Sequence, residues 1–197
     1  SGGAGHVASA LANEHASLGF DSKLVTFYDA GLAEEPFRNF GLTAAAIADR
    51  LIVSKSNTAQ LTSLLRSCFN LFQEADVRTD SILHLHWMGG VAGFRTLLEA
   101  GLGKRKIVWT LHDMAPFTGF CHHSGTCKGF ESGCSNCPLA RTPFRTQINR
   151  RALSEARSLQ HFKNFRVVAP TPWMAQLAQK SLLFRGAPID VVPNPIN

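Results

Sequence analysis

The sequence predicts an α/β fold, a Rossmann-like doubly wound parallel sheet. Short β-rich runs alternate with segments of helical period. That alternation argues for a parallel sheet covered on both faces. Each chemically suggestive segment also follows directly on a predicted strand, where ligands of such sheets gather.

In chain order, Gly2-Gly3-Ala4-Gly5 reads as a loop whose preceding strand lies before Ser1. A helix follows over 6–18, carried by Val7, Leu11, Ala12 and Leu18 and stopped by Gly19. The run 23–27 reads as a strand, and 43–53 and 58–74 as helices. A strand is expected at 81–86, and Gly89 and Gly90 open a helix to about Ala100. The next strand is 106–111. A segment over 112–143, rich in Gly, Cys, Ser and Pro, shows little regular pattern; loops of that length are functional or pinned. After it come a basic helix over 144–162, a strand over 165–169, a helix over 172–182 and a strand over 189–192. Residues 1–192 read as one domain, and 193–197 as the start of a linker.

At 197 residues, with 45 % apolar and 17 % charged residues, the chain has the balance of a folded globular domain. No run of about 18 apolar residues offers a membrane span. A cytoplasmic protein is the expectation. The net charge of +6 suits nucleic acid, anionic headgroups or a phosphorylated substrate, or merely a solvated face. The basic stretch 141–163 lacks the aromatic interleaving of a single-strand binder, so a membrane surface fits better than nucleic acid.

Gly2 and Gly3 precede a helix, so backbone N–H groups there suit an anion, although taken alone they read first as a plain tight turn. The dinucleotide fingerprint G-x-G-x-x-G is missing, which disfavours a Rossmann oxidoreductase. His112 and Asp113 leave a strand together, an imidazole beside a carboxylate at a strand end, and are the candidate catalytic pair. His84 and His86 share a strand face and read as substrate-binding or as hydrogen-bonded core residues.

Cys121, Cys127, Cys134 and Cys137 form C-x5-C-x6-C-x2-C, the ligand supply of a tetrahedral structural zinc site in a loop without a hydrophobic core of its own. Disulfides, an iron–sulfur cluster and free thiols are the alternatives, and His122 or His123 can stand in for one cysteine. Cys68, in an apolar run, reads as core.

The stretch Trp109-Thr110-Leu111-His112-Asp113-Met114-Ala115-Pro116-Phe117-Thr118-Gly119, with Cys121-His122-His123-Ser124-Gly125 and Gly133-Cys134-Ser135-Asn136-Cys137-Pro138, resembles a bacterial branch of glycosyltransferase family four. Its members, colanic-acid-type enzymes among them, build exopolysaccharide and lipopolysaccharide. Gly2-Gly3-Ala4, His84-Leu85-His86-Trp87, Pro170-Thr171-Pro172-Trp173-Met174 and Val191-Val192-Pro193-Asn194-Pro195 are similar to other segments of it. Ala115, His123, Pro195 and Asn197 depart from its usual pattern.

The resemblance implies the N-terminal, acceptor-side half of a GT-B enzyme. Such enzymes transfer a sugar, with retention and without a catalytic metal, from a nucleotide sugar to a saccharide or lipid-linked acceptor. It implies that His112 lies near the transferred sugar, that Gly2 and Gly3 approach the donor phosphates, and that His86 and Trp87 contact the acceptor. It also implies a donor-binding domain after Asn197, without which the chain is expected to be inactive. The competing class is a zinc-stabilised basic module binding nucleic acid or anionic surfaces.

Overall fold

The computed structural model describes residues 3–25, 80–88 and 92–195. Its first element is α1 (Gly3–Ser17). Gly19 ends it at φ +83°, with Phe20 N–H donating to the His15 carbonyl and Gly19 N–H to that of Ala16. These two bonds make a Schellman cap, in which a left-handed glycine lets the chain turn back on its last carbonyls. His15 and Phe20 pack edge to face across it.

Among the described residues the sheet consists of β1 (Ile82–His86), β2 (Lys106–Thr110), β3 (Phe165–Ala169) and β4 (Ile189–Val191), in that spatial order and all parallel. The mixed α/β fold with a parallel sheet is as the sequence predicts. Between strands stand α2 (Phe94–Glu99), α3 (Thr142–Leu159) and α4 (Pro172–Lys180). Thr171 caps α4, its hydroxyl accepting from Met174 N–H at 3.1 Å, and Pro172 occupies the first turn, where it needs no partner for the missing N–H.

Phe94 opens α2 at the centre of the core, with ring centroids 5.0 Å from both Trp109 and Phe165. Phe162 and Phe184 close around it. Trp109 is buried on β2, and among the described residues its indole N–H has no hydrogen-bond partner. That donor is a desolvation cost set against a large buried ring.

Glu155 of α3 turns inward to the start of α2, accepting from Arg95 N–H at 3.3 Å. A Cβ on Gly93 would stand 2.5 Å from the Glu155 carboxylate, so glycine is what lets the two helices approach there. Burial pushes the Glu155 carboxyl above its ordinary range despite that backbone donor.

Three expectations need correction. The segment 112–143 does have a core: Met114, Phe117, Phe120, Phe130, Leu139 and Ala140 all join the main hydrophobic cluster. Composition concealed this because the apolar residues are spaced by turns, including 3-10 turns at Ala115–Phe117 and Gly129–Glu131. Residues 23–25 form no strand, since among the described residues no neighbour supplies a ladder for them. The helix expected from Gly89 is described from Phe94 onward. The expected helices over 43–53 and 58–74, residues 26–27, Cys68, Gly2, Gly89 and Gly90 lie outside the described residues.

Candidate active site

Side-chain bonds link the ends of β1 and β2 like rungs. His84 Nε2 lies 2.8 Å from Thr110 Oγ1, and His86 Nδ1 lies 2.9 Å from His112 Nε2. The Trp87 indole N–H donates to Asp113 Oδ2 at 2.9 Å. Parallel register produces this: His86 sits opposite Thr110, so each rung slants to a residue further along the second segment. The histidines at 84 and 86 share a face, as the strand period requires, with ring centroids 4.2 Å apart. The His86 and His112 rings lie 5.2 Å apart.

Electrostatics keep these imidazoles neutral. Burial, then His84 and His112, push the His86 pKa down to about 3. Burial also lowers His84, helped by His15 and His112, and it lowers His112 although Asp113 pulls the other way. Two neutral imidazoles meeting Nδ1 to Nε2 share one proton as donor and acceptor. A base held neutral, rigid and half-buried at a strand end can accept a proton or orient a hydroxyl.

Asp113 faces a different set of partners. Its Oδ1 accepts from Ala115 N–H at 2.8 Å, and its Oδ2 meets both Trp87 Nε1 and, at 2.6 Å, His122 Nδ1. Burial pushes this carboxyl up, but those donors outweigh burial and hold it below the usual carboxylate range. Sequence reasoning paired Asp113 with His112 as a catalytic unit; the structure engages its oxygens elsewhere.

The cysteine loop docks on this edge. Met114 N–H donates to the His122 carbonyl at 2.9 Å, and the Thr118 hydroxyl donates to the Cys121 carbonyl. All four cysteines of the loop are free, and three are buried. Backbone N–H groups point at the sulfurs: Gly119 to Cys134 at 3.2 Å, Gly129 to Cys127 at 3.4 Å, and Leu139 and Ala140 to Cys137. Burial pushes the Cys121 thiol up to about 12 and the Cys134 thiol up to about 11. Among the described residues, no group of three or more Cys, His, Asp or Glu stands in a metal-holding arrangement.

Residues 1–197 match the family described as Glycosyltransferase Family 4. The chain belongs to that family. It is also similar to the putative colanic acid biosynthesis glycosyl transferase WcaC of Escherichia coli (strain K12), 31 % identical over 71 residues. That match covers 35 % of the chain and 18 % of the relative's length. No solved structure matches.

In this family 4 chain the structure brings His86, Trp87, His112 and Asp113 together. Gly3 stands at the first turn of α1, and among the described residues nothing lies within 4 Å of where a Cβ would be. Trp87 is 48 % exposed and reaches φ +25°, a backbone region that bulky residues rarely adopt. Sequence reasoning assigned His122 only as a stand-in ligand for a cysteine; here it is buried against Asp113. Its signal is faint: a histidine nine residues after a carboxylate, meaningful only once the intervening turn is known. Among the described residues no helix is long and apolar enough to cross a membrane.

Proposed function

We propose that this chain forms the acceptor-side wall of a retaining GT-B glycosyltransferase. It works in bacterial polysaccharide synthesis, moving a hexose from a nucleotide sugar to a saccharide or lipid-linked acceptor. The observation that carries the reading is the His86–His112 pair at the carboxyl edge of a parallel sheet, in a family 4 chain. The WcaC likeness supports the polysaccharide setting. A neutral His112 orients the transferred sugar and stabilises charge that develops on it. The first turn of α1, at Gly3, offers backbone N–H groups toward the departing diphosphate. Trp87, half-exposed beside them, stacks on the acceptor. No catalytic metal is needed, because helix N–H groups and neutral imidazoles supply the stabilisation.

Exposed Arg150, Arg157 and Lys163, on and after α3, suit a peripheral approach to an anionic membrane surface that presents a lipid-linked acceptor. The test is transfer by the full-length protein across a panel of nucleotide sugars and acceptors, with the anomeric configuration of the product read by NMR. Product with the donor's configuration supports the reading. Inverted product, or none with any donor, contradicts it.

The four loop cysteines are proposed as structural zinc ligands. What supports this is the donor set itself and the backbone N–H groups aimed at three of the sulfurs, which suit thiolates. Elemental analysis after purification tests it: about one zinc per chain is expected for a single tetrahedral site, and metal-free protein with four titratable thiols is the contrary result.

A further inference from the structure

Trp87 is an exposed indole whose N–H is not left to water. It donates to Asp113, a carboxylate that is itself buried and shared with His122 from the cysteine loop. An exposed tryptophan needs no such anchor to be soluble, and burying a carboxylate is costly unless its oxygens are filled. Here they are filled, by Trp87, His122 and the Ala115 N–H. The Trp87 backbone is also held left-handed at φ +25°, a conformation that persists only where its surroundings over-determine it. The His122 ring lies 5.9 Å from the Trp87 ring, at 37° to it, and so backs the indole on one side. Three chain segments thus fix one aromatic surface: the exit of β1, the exit of β2 and the start of the cysteine loop.

The geometry points to Asp113 and His122 as positioning residues that lock the Trp87 indole into a flat platform for the acceptor's sugar ring. The inference rests on the acceptor-wall reading above and deepens it. A fixed aromatic face presents apolar area to the C–H face of a pyranose, while the neighbouring His86 offers a polar atom to its hydroxyls. The rigid anchor matters because a freely rotating indole would lose conformational freedom each time an acceptor bound. His122 donates from Nδ1, the carboxylate accepts, and the indole donates to that same oxygen. Removing the imidazole frees the carboxylate to turn, and the indole turns with it.

The experiment measures steady-state transfer by the full-length enzyme while donor and acceptor are varied separately. Its variants are Trp87→Ala, Trp87→Phe, His122→Ala, His122→Asn and Asp113→Asn. The indole N–H resonance of Trp87 is followed in parallel, assigned by its loss in Trp87→Phe. Expected for His122→Ala is an acceptor KM about tenfold higher, the scale of one lost charge-assisted hydrogen bond. Donor KM and kcat stay within about twofold, since the anchor acts on binding rather than on the reacting centre. The Trp87 indole signal moves toward that of a water-exposed indole. His122→Asn, which returns an N–H donor to the carboxylate, recovers most of the loss.

If Trp87→Ala raises acceptor KM while His122→Ala and Asp113→Asn do not, the positioning role is overturned and the acceptor wall stands. If Trp87→Ala leaves acceptor KM unchanged in an enzyme that still transfers sugar, the platform itself is overturned. A His122→Ala enzyme that loses kcat and both KM values together, with no recovery in His122→Asn, reports structural damage and also counts against the proposal.

Discussion

His86 Nδ1 lies 2.9 Å from His112 Nε2, so the residue at the end of one strand sets which nitrogen of its neighbour is engaged. An imidazole without such a partner can flip or change tautomer; this one is held. His86→Ala is expected to lower kcat by about tenfold, less than loss of His112 itself, because it costs orientation and not the group. His86→Gln, which restores a polar atom near the same place, should recover part of the rate. Equal kcat in wild type and His86→Ala would refute this role.

The same histidines make stability depend on pH. Each has a folded pKa below its ordinary 6.5, and His86 falls to about 3. Between those values the unfolded chain binds more protons than the folded one, so stability falls as the solution is acidified. Their contribution is fully present above pH 6.5. The melting temperature should therefore drop between pH 7 and pH 5, and drop less in His86→Gln. A flat profile over that window contradicts the neutral imidazole cluster.

Glu155 has the opposite sign. Burial raises its pKa, so the carboxylate costs stability at pH values above the folded pKa. Glu155→Gln keeps an acceptor for Arg95 N–H without a charge. It should stabilise the chain at pH 7.5 by up to about 1 kcal/mol, within the range of one net hydrogen bond, with a smaller gain at pH 4. Chemical denaturation at the two pH values reads the difference.

Gly119 tests the packing beneath the cysteine loop. A Cβ there would collide with Ile148 Cγ2 of α3 and stand 3.0 Å from Cys134 Cβ. Gly119→Ala is expected to cost about 1–3 kcal/mol, the usual range for overpacking a filled core. Gly125→Ala serves as a comparison: among the described residues no atom lies within 4 Å of its added Cβ, and its φ of +56° leaves backbone strain alone. A similar loss at both positions would mean that the Gly119 contact is not the cause.

How far the sequence could be read follows from which forces are local. The strand at Phe165–Ala169 and the α4 helix from Pro172 were legible because alternation, a capping threonine and a first-turn proline all act within a few residues. His86, Trp87, His112 and Asp113 were legible as strand-end residues. Their pairing was not, because it depends on the register between β1 and β2, which no local pattern encodes. The loop's core was missed for a related reason: Phe117 and Phe130 have no period that marks them as partners, yet their rings meet with centroids 5.8 Å apart. His122 was invisible as an anchor, since its value comes entirely from the Asp113 carboxylate it reaches.

The most direct measurement is the kcat for sugar transfer by the full-length protein and by His112→Ala, with folding checked by circular dichroism. A catalytic imidazole contributes about 100-fold or more, so the variant should lose at least that while keeping its fold and its acceptor KM. A folded His112→Ala enzyme turning over within a few-fold of wild type would contradict the account at its centre.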